Sequence, residues 1–66
     1  MKIKFTDKKN SEFEYKNITS CYQEEDKIFI FTSNNFRFIL DYPNEKLAIK
    51  DFNKYLLSIP HDTRNV

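Results

Sequence analysis

The sequence predicts an α+β fold in which a four-stranded antiparallel meander sheet is followed by one C-terminal amphipathic helix packed on one face. Three observations predict this class. Apolar and polar residues alternate with a period of two before Pro43, the apolar spacing becomes helical after it, and polar turn residues separate the strand-like segments. The 66 residues are enough for one domain. We assign residues 1–60 to that domain and residues 61–66 to a flexible C-terminal tail.

The first two strands are predicted within residues 1–23. Residues 1–6 alternate between apolar and polar side chains, which is typical of a half-buried strand. Residues 7–10 are all polar and favour a turn. The second strand begins near Glu12 and extends to Gln23, which is long for a single strand.

The phase of the alternation changes within this second strand. Phe13 and Tyr15 are out of phase with Ile18 and Tyr22. Either a bulge at Asn17 restores the phase, or the two early aromatics share the other face with the apolar residues of the first strand. The first arrangement gives one core and a small outer patch, whereas the second makes both faces of the sheet strongly apolar.

The third and fourth strands are predicted as a hairpin. Residues 27–32 are the most strand-like window of the chain because β-branched and aromatic side chains predominate there, and the three acidic residues at 24–26 mark the turn before them. The Asn-Asn pair at 34–35 predicts a two-residue turn, because asparagine tolerates a positive φ and the chain has no glycine. Residues 36–41 then form the fourth strand.

A single helix is predicted after Pro43. Five apolar side chains recur at i, i+4, i+7, i+8 and i+11 and define the stripe that faces the core: Ala48, Phe52, Tyr55, Leu56 and Ile59. Asn44 is the predicted N-cap, and Pro60 ends the helix at Ser58 or Ile59. The strand, turn and helix of residues 36–66 are similar in outline to the end of pleckstrin-homology-like domains, a resemblance that carries no specific motif and from which no function is assigned.

The predicted turns fix which side chains share a face of the sheet. A turn at residues 25–26 places Tyr22 opposite Phe29, and the Asn-Asn turn places Phe31 opposite Phe38. One face then forms the predicted core under the helix: Ile18, Tyr22, Phe29, Phe31, Phe36, Phe38 and Leu40.

The opposite face of the sheet is the predicted partner-binding surface. It presents a cysteine and three isoleucines with an arginine at the rim: Cys21, Ile28, Ile30, Ile39 and Arg37. Because one helix covers about one face of a sheet, this surface would stay in water unless a second copy or another protein covered it. The alternative is a strongly coiled sheet that buries both faces itself. We therefore expect a protein-interaction module, either a homodimer or a protein that docks on or inhibits a larger partner.

The charge balance limits the role of nucleic acid. The chain has 11 basic and 10 acidic residues and a net charge of +1, so it lacks the basic excess of proteins that depend on phosphate contacts. Lys46, Lys50 and Lys54 nevertheless form a row along the predicted helix. This row is either an ordinary solvated face or the site of an alternative function, weak nucleic-acid binding.

No enzymatic, cofactor or metal chemistry is predicted. A chain without glycine has no glycine-rich phosphate loop and no nucleophile elbow. One cysteine and one histidine cannot supply a zinc ligand set. Cys21 would need a nearby base to act as a nucleophile, and the sole histidine, His61, lies in the predicted tail. A domain of this size also offers little depth for a small-molecule substrate pocket.

The sequence favours a cytoplasmic protein. The longest strongly apolar run, residues 28–31, is too short to span a bilayer, and the N-terminus has no continuous apolar segment of the kind found in signal peptides. A single cysteine fits a reducing compartment. Nine lysines against two arginines, with seven asparagines and seven isoleucines, are typical of an AT-rich genome and suggest a low-GC bacterium, its phage or another mobile element.

Overall fold

The structure is a computed structural model that describes residues 1–58 and confirms the α+β class with a C-terminal helix. Two antiparallel sheets replace the single predicted sheet, since β1 pairs with β2 while β3, β4 and β5 form a three-stranded meander. The elements are β1 (Lys2–Lys4), β2 (Glu12–Glu14), β3 (Ile18–Glu24), β4 (Lys27–Thr32), β5 (Arg37–Asp41) and α1 (Glu45–Ser58). The predicted helix end at Ile59 and the tail at residues 61–66 lie outside the described residues.

The predicted second strand is divided into β2 and β3 by one turn of 3-10 helix, Tyr15–Asn17. A second irregularity shifts the β3–β4 register between Ile18 and Ser20. Phe13, Tyr15 and Ile18 all pack against the same core as a result. The interruption predicted at Asn17 is therefore a 3-10 turn that ends at this residue, and the irregularity of the β3–β4 pairing follows it between Ile18 and Ser20.

The β3–β4 hairpin has the predicted register. Tyr22 lies opposite Phe29 and Glu24 lies opposite Lys27, so the connecting turn contains two residues. Glu25, the first of them, has a φ of 54°. Position 25 thus takes the left-handed conformation without a glycine.

The predicted register of the β4–β5 hairpin is wrong by one residue. The backbone N–H of Thr32 donates to the carbonyl of Phe36 at 3.0 Å, and the N–H of Asn35 donates to the carbonyl of Thr32 at 3.0 Å. This is a three-residue connection, with Asn35 in the left-handed region at a φ of 68°. Phe31 consequently pairs with Arg37 rather than with Phe38. A shift of one residue moves every side chain of β5 to the other face relative to β4.

The core lies on the face of the three-stranded sheet that carries Ile28 and Ile30. Both isoleucines are 0% exposed, and full burial of such a side chain contributes about 1.5–3 kcal/mol. The predicted core face is therefore wrong, because Phe29 and Phe31 lie on the opposite side of β4. The sheet β1–β2 and the helix close the core over the isoleucine face, and the buried apolar set is Ile3, Phe5, Ile28, Ile30, Leu40, Tyr42, Ala48 and Tyr55.

The helix begins as predicted. The side-chain oxygen of Asn44 accepts a hydrogen bond from the backbone N–H of Leu47 at 2.9 Å, which is an N-cap contact. From the predicted stripe, Ala48 and Tyr55 are buried and Phe52 packs against the core, whereas Leu56 is 42% exposed.

A buried carboxylate on α1 was not anticipated. Asp51 is 7% exposed, and its Oδ2 accepts hydrogen bonds from the backbone N–H of Thr6 at 2.6 Å and from the Thr6 hydroxyl at 3.0 Å. The hydroxyl of Tyr42, which is 1% exposed, donates to the same oxygen at 2.7 Å. Burial and this hydrogen bond raise the pKa of Tyr42 above its ordinary value. One side chain thus ties the helix to the segments that follow β1 and β5.

We predict that Asp51→Ala lowers the free energy of unfolding by about 3 kcal/mol, because it leaves a buried tyrosine hydroxyl and a backbone N–H without their acceptor. Tyr42→Phe removes one donor and should cost about 1 kcal/mol. Urea unfolding followed by circular dichroism measures both, with Asn53→Ala on the exposed side of α1 as the control. Equal stability of Asp51→Ala and Asn53→Ala would contradict the anchoring role.

Candidate functional site

The face of the three-stranded sheet that points away from the core is the candidate site, and we call it the outer sheet face. Strand pairing arranges it as three rows that cross the strands. From one end to the other the rows are Glu24–Lys27–Asp41, Tyr22–Phe29–Ile39 and Ser20–Phe31–Arg37. The helix and β1–β2 pack on the opposite face, so within residues 1–58 this one is left to solvent.

The middle of the outer sheet face is aromatic. The ring centroid of Tyr22 lies 4.9 Å from that of Phe29, with 12° between the planes, and 6.2 Å from that of Phe31, with 19° between them. Tyr22 is 45% exposed and Ile39 is 46% exposed, while the two phenylalanines are half-buried beneath their neighbours. The three stacked rings and the isoleucine form a continuous apolar strip across the sheet.

The charged residues of this face are balanced in sign. Lys27 donates to the Oδ1 of Asp41 at 2.9 Å, and this hydrogen bond raises the pKa of Lys27 and lowers that of Asp41. Arg37 forms no ion pair within residues 1–58. With Glu24, the face therefore carries two basic and two acidic groups. Lys27 and Asp41 are already paired, whereas Arg37 can still bind an acidic group of a partner.

The structure separates the five residues predicted to bind a partner. Arg37 and Ile39 lie on the outer sheet face. The predicted exposure of Ile28 and Ile30 is wrong, since both are fully buried under the helix and β1–β2. Cys21 pairs with Ile30 in the β3–β4 register and packs against the core. Three of the five predicted residues are withdrawn from the surface because the helix covers the isoleucine face of β4 and not its phenylalanine face.

Three residues of the outer sheet face were assigned to the core from the sequence: Tyr22, Phe29 and Phe31. Both faces of β4 are strongly apolar, so its alternation alone could not have identified them. One sequence feature does point to the isoleucine side as the core. In the second interpretation of the phase change, Phe13 and Tyr15 join the first strand on that side, where they pack in the structure.

The lysine row of the helix lies apart from the apolar strip of the outer sheet face. Lys46, Lys50 and Lys54 are all exposed and form no ion pairs within residues 1–58. Leu57, near the end of the row, is 82% exposed. Because α1 packs on the isoleucine face, its solvent side and the outer sheet face point away from each other. The two features do not combine into one basic aromatic surface.

A second apolar feature is the groove between β2 and β5. Its volume is about 360 Å³ and its lining includes three phenylalanines, with the ring centroid of Phe38 5.2 Å from that of Phe13 and 6.3 Å from that of Phe36. Glu12 and Glu14 lie at its β2 side. The groove does not follow from the sequence pattern, which predicts β2 as part of one long strand.

Comparisons with models of protein families, with curated proteins and with solved structures gave no match. Within residues 1–58 the helix is not long and apolar enough to cross a membrane. No group of three or more histidine, cysteine, aspartate or glutamate side chains in that part of the chain could hold a metal ion.

Burial raises the pKa of the Cys21 thiol to about 11 from 9.0, so its thiolate fraction at pH 8 falls roughly 100-fold. We predict that iodoacetamide alkylates Cys21 at least about 100-fold more slowly in the folded protein than in urea at pH 8, and that the folded rate still rises with pH through pH 10. Mass spectrometry of timed samples measures both rates. Equal rates would show that the thiol is exposed and would contradict its packing against the core.

Proposed function

We propose that this protein is a protein-interaction module, which binds a second copy of itself or a different protein through its outer sheet face and performs no catalysis. The observation that carries the proposal is the solvent-facing apolar strip of Tyr22, Phe29, Phe31 and Ile39. Protein interfaces typically have an apolar, aromatic-rich centre surrounded by a polar rim. The outer sheet face has this composition, since charged or hydroxyl-bearing side chains flank the strip on both sides.

Two side chains of this face are of the types that contribute most to binding. Tyrosine and arginine are enriched among residues whose truncation weakens protein complexes strongly. Tyr22 has its ring held by stacking on Phe29, so little conformational freedom is lost when a partner covers it. Arg37 offers a guanidinium without an ion-pair partner in residues 1–58. We expect these two residues to be the strongest contacts.

The absence of catalysis in this proposal is supported by the character of Cys21. Burial keeps its thiol protonated at neutral pH, and a protonated thiol is a poor nucleophile. The single cysteine of the chain also supports a reducing compartment, and we place the protein in the cytoplasm on that basis.

Weak nucleic-acid binding is the alternative proposal. It is supported by the exposure of Lys46, Lys50 and Lys54, which leaves their ammonium groups free to contact phosphate. Proteins that bind single strands usually combine such charges with stacking rings in one groove. Here the stacked rings and the lysines are on opposite sides of the sheet, so the protein-binding proposal explains more of the surface.

We predict that Ile39→Lys reduces partner capture at least tenfold, because it places a charge in the apolar strip. The tagged protein is used to capture proteins from a lysate of cells that also express an untagged copy, so that either a second copy or a different protein can bind. Bound proteins are identified by mass spectrometry, and the untagged copy is distinguished from the tagged one by its intact mass. Leu57→Lys is the matched control, because it introduces the same charge on α1 at a side chain that is more exposed than Ile39. It should capture partners as well as the original chain does.

Circular dichroism confirms that both variants are folded before they are compared. Capture of the same proteins by Ile39→Lys and by the original chain in equal amounts would contradict the proposal. Salt-sensitive binding of a labelled oligonucleotide that Lys50→Glu abolishes and Ile39→Lys preserves would instead establish the nucleic-acid alternative.

A further inference from the structure

The two outer rows of the outer sheet face lie at equal distances from the middle row. The Tyr22–Phe29–Ile39 row carries no charge, and the two flanking rows lie two residues away from it along each strand. On β5 the flanking residues are Asp41 on one side and Arg37 on the other, so opposite charges sit at equal distances from the centre. A surface built in this way can be complementary to a copy of itself.

Two copies can stack face to face about a two-fold axis in two simple ways. An axis that runs along the strands places β3 over the partner's β5. Glu24 then opposes the partner's Asp41, and Lys27 opposes the partner's Lys27. Both contacts bring like charges together, so the charge pattern of the face disfavours this arrangement.

An axis that runs across the strands gives the opposite result, because each strand then lies over its own copy in the reverse direction. Arg37 opposes the partner's Asp41, and the same contact occurs twice by symmetry. Lys27 lies opposite the partner's Phe31 and meets no like charge there. Each middle-row side chain meets its own counterpart and closes the apolar strip.

We propose that the partner is a second copy of this chain, packed face to face about a two-fold axis that crosses the strands at the Tyr22–Phe29–Ile39 row, with each Arg37 opposite the partner's Asp41. The inference rests on the proposed function, since it names the occupant of the same face. It also gives Arg37 an acidic partner, while Asp41 keeps the contact with Lys27 that it already has.

The size of the surface sets the expected affinity. The outer sheet face presents nine residues on each side, fewer than the 20–30 of a standard interface. Sheets packed about 10 Å apart also cross at about −30°, and this crossing limits contact at the corners of the two sheets. We therefore expect a dissociation constant on the order of 10–100 μM. The dimer should form and dissociate within a concentration range that solution measurements reach easily.

Sedimentation equilibrium from about 10 μM to about 1 mM tests the proposal, because this range spans the expected dissociation constant. The mass of the original chain should rise from 8.0 kDa toward twice that value. Arg37→Asp and Asp41→Arg should each remain monomeric, since each variant opposes like charges twice. An equimolar mixture of these two variants should dimerise again, because both contacts then join a carboxylate to a guanidinium.

Lys50→Asp is the control for Arg37→Asp, because it makes the same change of charge on α1, away from the outer sheet face. It should dimerise like the original chain. A mixture that stays monomeric while the original chain dimerises would overturn the axis across the strands. A monomeric original chain at 1 mM would overturn self-association altogether. In that case capture of a different protein, lost in Ile39→Lys, would still support the proposed function, so the two failures are distinguishable.

Discussion

The hydrogen bonds of the Asp51 carboxylate hold the helix on the face of the sheet that carries Ile28 and Ile30. A charged carboxylate that is almost removed from water is costly unless donors satisfy it, and Thr6 and Tyr42 supply three of them at one oxygen. Those donors come from segments that follow β1 and β5, so the helix, the small sheet and the end of the large sheet must meet at one place. Moving α1 to the phenylalanine face of β4 would leave this carboxylate unpaired.

The choice of face has a direct consequence for function. The single helix of residues 1–58 can cover one side of the three-stranded sheet. Because α1 and β1–β2 occupy the isoleucine side, the phenylalanine side has no cover within residues 1–58. Tyr22 stacks across Phe29 and Phe31 and reduces their exposure, but it remains 45% exposed itself. The binding function proposed here follows from this uncovered apolar strip.

The sequence was most informative where a pattern had one physical interpretation. The helical period after Pro43, the cap at Asn44 and the two-residue β3–β4 turn all correspond to the structure. The Asn-Asn pair was ambiguous, because asparagine can occupy the left-handed position of either a two-residue or a three-residue connection. The structure uses Asn35 in the longer connection, which shifts β5 by one residue.

The division between core and outer face could not be predicted from β4, whose isoleucines and phenylalanines alternate and are equally suited to burial. Asp51 lies between Ala48 and Tyr55 on the buried side of the helix, but an isolated aspartate is normally expected in solvent. Its donors are 45 and 9 residues away along the chain, so no local pattern reveals them. The binding surface was misassigned for these two reasons.

The most direct test of this account is an NMR measurement of which side of β4 contacts the helix. Nuclear Overhauser effects are recorded on protein with labelled isoleucine methyl groups and labelled aromatic rings. Burial of the isoleucine face under α1 predicts contacts from the methyls of Ile28 and Ile30 to side chains of α1, and none from the rings of Phe29 and Phe31 to α1. Contacts from the phenylalanine rings to α1, with the isoleucine methyls facing solvent, would contradict it.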